Sequence, residues 1–345
     1  MTREILMATC PAGLGGGGLG QHLAQIMSDA NRDGFEGRAI CHGGVEHPSM
    51  ALDPAWEKRL FAFPPFRYRP ALRVWFRHLA FDRFAANRIA PCTCVTAFMG
   101  GALSTFRRAR SLGVRKLVLE MPNSHPANVQ ALHAKAASLH SFERSWMGDL
   151  FRKRAELELG MADEIRVNSE YTAASVVKMG IDPGKIVRRH LPPDERFSRV
   201  QRRSPTDGTR TAIVVGSLSV VKGIPFLVEL FQRVPGEDLR LVLFGGWSSR
   251  GMRRFLEKAS ARDRRISWRS GDPAEIFATA EIAFHPSWED GWGYAPAEAF
   301  SAGLPVVVSD QTGMKELLQS SQILPAGNSA AWNARLESWA QERPS

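Results

Sequence analysis

"EIAFHPSWEDGWGYAPAEAF", residues 281–300, is the stretch on which the fold turns. Its first five residues are an apolar, strand-like run. Then come Glu289 and Asp290, a Gly291-Trp292-Gly293 turn and, from about Tyr294, a helical pattern that carries Glu298. Strand, glycine-bearing loop and helix in that order make one step of a parallel α/β sheet. Such a loop aims backbone amides and a helix N-terminus at one spot, which suits phosphate. Asp290 and Glu298 bracket that spot, and each carboxylate oxygen accepts hydrogen bonds from neutral hydroxyls. A nucleotide-sugar, with hydroxyls on ribose and sugar and a diphosphate between, meets both demands.

Outward from this stretch the same pattern repeats. Strands are expected at 4–9, 38–41, 93–98, 116–121 and 164–168, then at 211–216, 239–244, 265–268, 282–285 and 305–309. Helical periodicity lies between them, at 17–30, 126–160, 223–233, 251–262 and 294–302. A chain of 345 residues is long for one core. The polar segment "PPDERFSRVQRRSPTDGTR" (192–210) reads as a break. The expected architecture is α/β, with two Rossmann-like domains facing one another across a cleft. They span 1–195 and 211–345, joined by a linker at 196–210, with the last helix free to pack back on the first domain.

The net charge of +10 favours anionic partners: phosphorylated small molecules, acidic membrane surfaces or nucleic acid. Cys10, Cys41, Cys92 and Cys94 form no metal-binding or disulfide pattern, so free thiols in a reducing cytoplasm are expected. The N-terminal "MTREILMATC" is too short and too acidic for a signal peptide, and no apolar run nears the roughly 20 residues of a membrane span.

Two glycine loops invite phosphate chemistry. "CPAGLGGGGLGQHLAQIM" (10–27) joins the first strand to the first helix, and Gly13, Gly15 and Gly18 match the dinucleotide-binding spacing. The acidic residue that should close the next strand is missing, since "EGRAICHGG" ends in Cys41 and His42, which weakens a nicotinamide oxidoreductase reading. "TAIVVGSLSVVKGIPFLVELF" (211–231) sets Gly216 at a strand end and Lys222-Gly223 before a helix, where an ammonium neutralises a diphosphate.

Taken together, the second half resembles the family 4 retaining glycosyltransferases of the GT-B fold. The match runs through Asp290, Gly291-Trp292-Gly293 and Glu298, then "AGLPVVVSD" (302–310) and Gly313, with "VVGSLSVVKG" and "LVLFGG" upstream. "RVNSEYTAASVVKMGI" (166–181) extends it into the first half. The resemblance implies that Lys222 contacts the donor diphosphate, and that Asp290 holds sugar hydroxyls with the amides of Gly291 to Gly293 beside Tyr294. Glu298 would hold the ribose, while Gly15 and Gly16 close on the donor. It implies no cofactor and no metal: the nucleotide diphosphate-sugar is a substrate, and helix dipoles with Lys222 replace a divalent ion. Same-face transfer, with the departing phosphate taking the acceptor proton, needs no protein base.

This sequence departs from the family pattern in two places. Asp290 stands where glutamate is usual, with Glu289 beside it as an alternative alignment. Ser217, next to Gly216, replaces a phosphate-binding arginine, for which Arg250 or Arg254 are substitutes. His125, in "EMPNSHPANVQ", sits where a sugar-contacting histidine is often found, against a turn-capping role.

Residues 59–88, "RLFAFPPFRYRPALRVWFRHLAFDRFAANR", interleave arginines and aromatics. Helical spacing sets Arg73, Arg77 and Arg88 on a face with Phe84. It suits either an anionic bilayer or packing on the first domain. The function expected is transfer of a sugar from a nucleotide diphosphate donor to a glycan or lipid-linked acceptor, as in cell-surface polysaccharide synthesis. The enzyme would be cytoplasmic or peripheral on the inner membrane face. A non-catalytic nucleotide-sugar binder is the alternative, and a nucleic-acid-binding protein ranks below it.

Overall fold

The structure, a computed structural model, describes residues 4–14, 17–42, 50–51, 60–61, 63–64, 66–189, 192–203 and 208–342. The chain forms two compact units: Met1–Gln130 with Arg144–Leu191, and Ala131–Glu143 with Pro192–Ser345. The first is built on seven strands: β1 (Ile5–Cys10), β2 (Glu36–Cys41), β3 (Met50–Ala51), β4 (Cys94–Phe98), β5 (Lys116–Met121), β6 (Glu164–Val167) and β7 (Ile186–Arg188). They pair in the order β3-β2-β1-β4-β5-β6-β7, every pair parallel. β4 is buried along its whole length, as a strand covered by helices on both faces must be. On one face lie α2 (Pro70–Ala86), α3 (Leu103–Ser111), α5 (Asp149–Met161) and α6 (Glu170–Lys178), around Phe81, Phe106 and Phe151. On the other, α1 (Gly17–Arg32) packs Leu23 and Ile26 on Leu6, Ala8 and Phe98. Helix α4 (Pro126–Leu139) follows β5.

The second unit repeats the plan with six parallel strands: β8 (Arg210–Val215), β9 (Leu239–Phe244), β10 (Ile266–Arg269), β11 (Ile282–His285), β12 (Val306–Ser309) and β13 (Ile323–Leu324). They are ordered β10-β9-β8-β11-β12-β13. Helices α7 (Ile224–Phe231), α8 (Arg250–Arg262) and α11 (Ser329–Gln341) cover one face, α9 (Pro273–Thr279) and α10 (Tyr294–Ser301) the other. Helix α8 shows how its sequence dictates this. Met252, Leu256 and Ala259 recur at helical spacing and are buried, and the Ser249 hydroxyl caps the start by accepting the Met252 N–H at 3.0 Å. Trp332, Leu336 and Trp339 of α11 are buried in this unit's own core. Phe197, inside the expected linker, is buried beside Phe277.

The α/β architecture with two Rossmann-like sheets is as expected. One helix is not. The periodicity at 126–160 resolves into α4 and α5, because residues 131–143 belong to the second unit. There Phe142 stacks on Phe255 with ring centroids 5.6 Å apart, and Glu143 takes hydrogen bonds from Val220 and Ser248. Gly148 caps α5 in an extended conformation and restarts the helix. No proline or glycine marks the break between 127 and 147, so periodicity alone ran across it.

Candidate functional site

The C-terminal ends of β8 and β11 bring together the residues singled out in the second half. Gly223, at φ +72°, caps α7, and a Cβ there would lie 2.1 Å from the Pro286 carbonyl oxygen. Only glycine lets the Lys222 loop approach the β11 loop this closely. The Trp288 N–H donates to Val221 O at 2.9 Å, tying the two loops. Ser309 Oγ donates to Ser287 O at 2.6 Å, Ser287 Oγ to Glu289 O at 2.8 Å, and Asp290 N to Gln311 O at 3.0 Å. These hydrogen bonds tie the loop to its neighbours.

On this frame Lys222 Nζ reaches Asp290 Oδ2 at 2.6 Å and the Glu289 carbonyl oxygen at 3.4 Å. The Lys222 partner is thus the Asp290 carboxylate, while Glu289 offers its backbone and is itself buried. His285 Nε2 lies 3.0 Å from the same Oδ2. Burial opposes ionisation of Asp290, but the Lys222 ammonium and the His285 hydrogen bond outweigh it and hold the carboxyl well below the usual carboxylate range. Asp290 is a fixed anion.

Glu298 is different. It sits half-buried in α10, behind the Gly293 cap, and among the described residues no hydrogen bond to its carboxylate is found. Burial pushes it up to about 7; Arg196 pulls the other way, while Asp194 and Asp272 add to the rise. A partly dry carboxyl with unused acceptors is what a pair of hydroxyls would satisfy.

The other expected residues divide. Gly216 (φ +125°) turns tightly, its carbonyl oxygen 1.8 Å from where a Cβ on Gly245 would lie, and Ser217 is exposed. Arg250 and Arg254 are exposed on α8. Trp292 is buried in the core beneath α10, so its backbone faces the loop while its ring does not; Tyr294 is half-buried and Gly291 buried. His125 belongs to the first unit. Its Nδ1 accepts the Ala127 N–H at 3.2 Å at the start of α4, the turn-capping geometry, and burial holds its pKa low. Gly15 and Gly16 lie outside the described residues.

In the basic segment, α2 buries Phe81 and packs Trp75 and Phe84 on the first unit's core. Arg73, Arg83 and Arg88 are exposed, as are Phe63 and Tyr68. Arg77 leaves the expected face: it is half-buried, with Nη2 directed at Pro11 O. Arg59 lies outside the described residues.

Sequence reasoning missed two groups. His285 closes β11 five residues before Asp290, a position from which a side chain can reach the loop, so its signal was available. Glu143 was not legible. It accepts the Val220 N–H at 2.6 Å and the Ser248 hydroxyl, bracing the Lys222 loop from 77 residues away.

Residues 196–345 match the family model described as glycosyl transferases group 1. That match lies within the second unit. A D-inositol 3-phosphate glycosyltransferase of Nocardia farcinica is 27% identical over 175 residues, covering 44% of this chain and 39% of that protein. The chain thus spans about two fifths of the length of the curated relatives it matches. Over the whole chain, the sucrose-phosphate synthase of Thermosynechococcus elongatus superposes with a TM-score of 0.70 at 15% identity, covering 98% of this chain and 92% of that one. Anabaena Alr3699/HepE, solved in complex with UDP-glucose, gives 0.65 at 14% identity, covering 98% and 90%. The fold is GT-B.

Proposed function

We propose that this protein is a retaining glycosyltransferase that moves a sugar from a nucleotide diphosphate donor to a glycan or lipid-linked acceptor, without a divalent metal. The observation that carries this reading is the Lys222–Asp290 pair, joined at 2.6 Å where the β8 and β11 loops meet, with the Glu298 carboxyl on the following helix accepting no hydrogen bond among the described residues. Ammonium, carboxylate and carboxyl in that order fit a diphosphate, a sugar hydroxyl and a ribose. Lys222 has three protons and, among the described residues, gives two to the protein. The third is available to the departing diphosphate, which is the largest charge formed in the reaction. In the proposed step the bond from the anomeric carbon to the diphosphate breaks, and the acceptor oxygen bonds to that carbon from the same face. The acceptor proton passes to the departing phosphate. The named activity of the Nocardia relative and the UDP-glucose held by the Anabaena neighbour support a nucleotide-sugar donor.

The test is to incubate the full chain with UDP-, GDP-, dTDP- and ADP-sugars and follow nucleoside diphosphate release and product anomer by NMR. Release with retained configuration, unaffected by EDTA, is expected. Abolition by EDTA with rescue by Mn²⁺ would overturn the metal-free part. Ser217, exposed where an arginine is usual, favours a second reading as a nucleotide-sugar binder without turnover. Tight binding with no release would select it.

The acceptor side is assigned to the first unit and its basic segment to an anionic membrane face. The exposure of Arg73, Arg83 and Arg88, and of Phe63 and Tyr68 earlier in the same segment, supports this, since each arginine gains about 1 kcal/mol near an anionic surface. Sedimentation with phosphatidylglycerol vesicles at low salt, lost when all three arginines become glutamate, is the expected result. Equal sedimentation of the variant would remove the membrane assignment.

A further inference from the structure

The carboxylate that Lys222 holds has a second keeper. His285 is 4% exposed, and its Nε2 approaches Asp290 Oδ2, the oxygen Lys222 already reaches. An ionised carboxylate only accepts, so Nε2 must be the nitrogen that carries the proton. Burial lowers the His285 pKa; the bond to Asp290 raises it and the Lys222 charge lowers it further, and the net shift is downward. The ring is neutral with one proton, and that proton goes to Asp290. Oδ2 is therefore saturated by two donors, while among the described residues no hydrogen bond reaches Oδ1.

Lysine alone could not fix this geometry. Its ammonium ends a flexible four-carbon stem and leaves the Asp290 plane free to turn about χ2. The imidazole is rigid and rooted in the sheet, since His285 pairs with Val308 of β12 in the parallel ladder. Resting on the donor reading above, we infer that His285 is a positioning residue for sugar recognition. It fixes the plane of Asp290 so that Oδ1 alone faces the ligand, and the site therefore takes a donor sugar that offers one hydroxyl to a single carboxylate oxygen. A one-methylene-shorter acid is workable here because it is held on two sides rather than one.

The experiment compares wild type, His285→Leu and His285→Gln. Glutamine can place an amide N–H near the position of Nε2; leucine cannot. Calorimetry with UDP and with UDP-glucose separates the sugar's contribution from that of the nucleotide. His285→Leu should lose on the order of tenfold of the preference for UDP-glucose over UDP, with UDP affinity changed less than about threefold, and His285→Gln should recover most of it. Unchanged preference in the leucine variant would overturn the inference. So would equal losses in both variants accompanied by a lowered melting temperature, which would mark His285 as core packing. Long-range ¹H–¹⁵N NMR on the ligand-free wild type provides an arm independent of the donor. His285 should appear as the neutral Nε2–H tautomer and titrate below the ordinary histidine range, since burial disfavours its charged form. An Nδ1–H tautomer, or titration at an ordinary histidine value, would overturn it. If wild type binds neither UDP nor UDP-glucose, the pair is replaced by the nucleoside diphosphate and nucleotide-sugar that the donor screen selects; if that screen selects none, the donor reading fails, and the NMR arm still decides the clamp on Asp290.

Discussion

In the first unit β4 runs through Met99-Gly100-Gly101 into α3; in the second, β11 runs through the Asp290 loop into α10. Both are strand, glycine-bearing loop and helix, and both draw acidic side chains to the helix start. In the first, the acids are consumed. Glu158 accepts the N–H groups of Gly100, Ala102 and Leu103, and Asp82 those of Ser104 and Thr105, with Arg154 bound to both carboxylates. The orphan amides of the α3 start are filled by the protein itself. In the second, α10 begins at Gly293 with no side-chain cap, and among the described residues Asp290 keeps one oxygen unspent and Glu298 two. A charged cluster with every valence closed holds the fold. One with valences left over is a place for a ligand.

The most damaging way to break this comparison is to open the closed cluster. Asp82→Ala leaves the buried Arg154 with Glu158 as its one remaining carboxylate among the described residues and frees the Ser104 and Thr105 amides. Removing one member of a buried pair costs about 3–5 kcal/mol. Hydrogen exchange at residues 100–105 should show the loss locally, and urea unfolding globally. A loss below about 1 kcal/mol would mean that solvent or a neighbour repairs the cluster, and that closure is not what holds α3.

The open cluster should answer in binding rather than stability. Glu298→Ala is expected to cost on the order of 1–3 kcal/mol of affinity for nucleoside and nucleoside diphosphate alike, because the partner proposed for it is the ribose. Lys222→Ala should weaken UDP far more than uridine. Calorimetry with both ligands on both variants gives four numbers. If the two variants lose the same ligand to the same extent, the assignment of one residue to ribose and the other to diphosphate is wrong.

What was legible in the sequence follows the same division. The sheets could be read because buried parallel strands are short apolar runs, and the loop from Asp290 to Glu298 because its partners are neighbours along the chain. The closed cluster could not. Asp82 lies within an arginine–aromatic stretch that reads as a surface, and its partners at 104, 105 and 154 come from two other helices. Glu143 is hidden for the same reason, in a segment whose helical period gives no sign that it leaves one unit for the other. Arg77 shows the limit of periodicity: spacing put it on a face with Arg73, but its length lets it turn inward to Pro11. Long polar side chains declare a face less firmly than apolar ones do.

Glu143 sits between the two kinds of cluster, since it is closed upon itself yet shapes the open site. It takes the Val220 N–H two residues before Lys222, and the Ser248 hydroxyl, which also donates to Leu218 O at 2.9 Å. Glu143→Ala should cost about 1–2 kcal/mol of stability, from the unsatisfied Val220 amide. A smaller loss of UDP affinity, about threefold, should accompany it as the Lys222 loop loosens. Unaltered UDP binding in a destabilised variant would confine Glu143 to the fold.

The smallest expected effect concerns pH, and it separates stability from binding by sign. Burial raises Glu298 to about 7 from an ordinary 4.5. The folded protein therefore keeps a proton that the unfolded chain has released. The contribution to stability is fully present below the unfolded value and is lost as pH rises through about 7. Glu158 is raised to about 7 as well, burial again outweighing Arg154, and adds a loss of the same sign. Ligand binding at Glu298 should run the other way, because ribose hydroxyls donate most strongly to the ionised carboxylate. Uridine, which has no phosphate to titrate, should bind about threefold tighter at pH 8 than at pH 6, a gain below about 1 kcal/mol. Glu298→Gln removes that slope without changing the shape of the site, and it leaves the Glu158 contribution to stability in place. Calorimetry across the pH range, paired with melting curves of both proteins, reads the two signs separately. If wild-type affinity for uridine is flat between those pH values while Glu298→Ala still weakens it, the carboxyl meets the ribose in one protonation state throughout, and its valences are closed by something other than ligand.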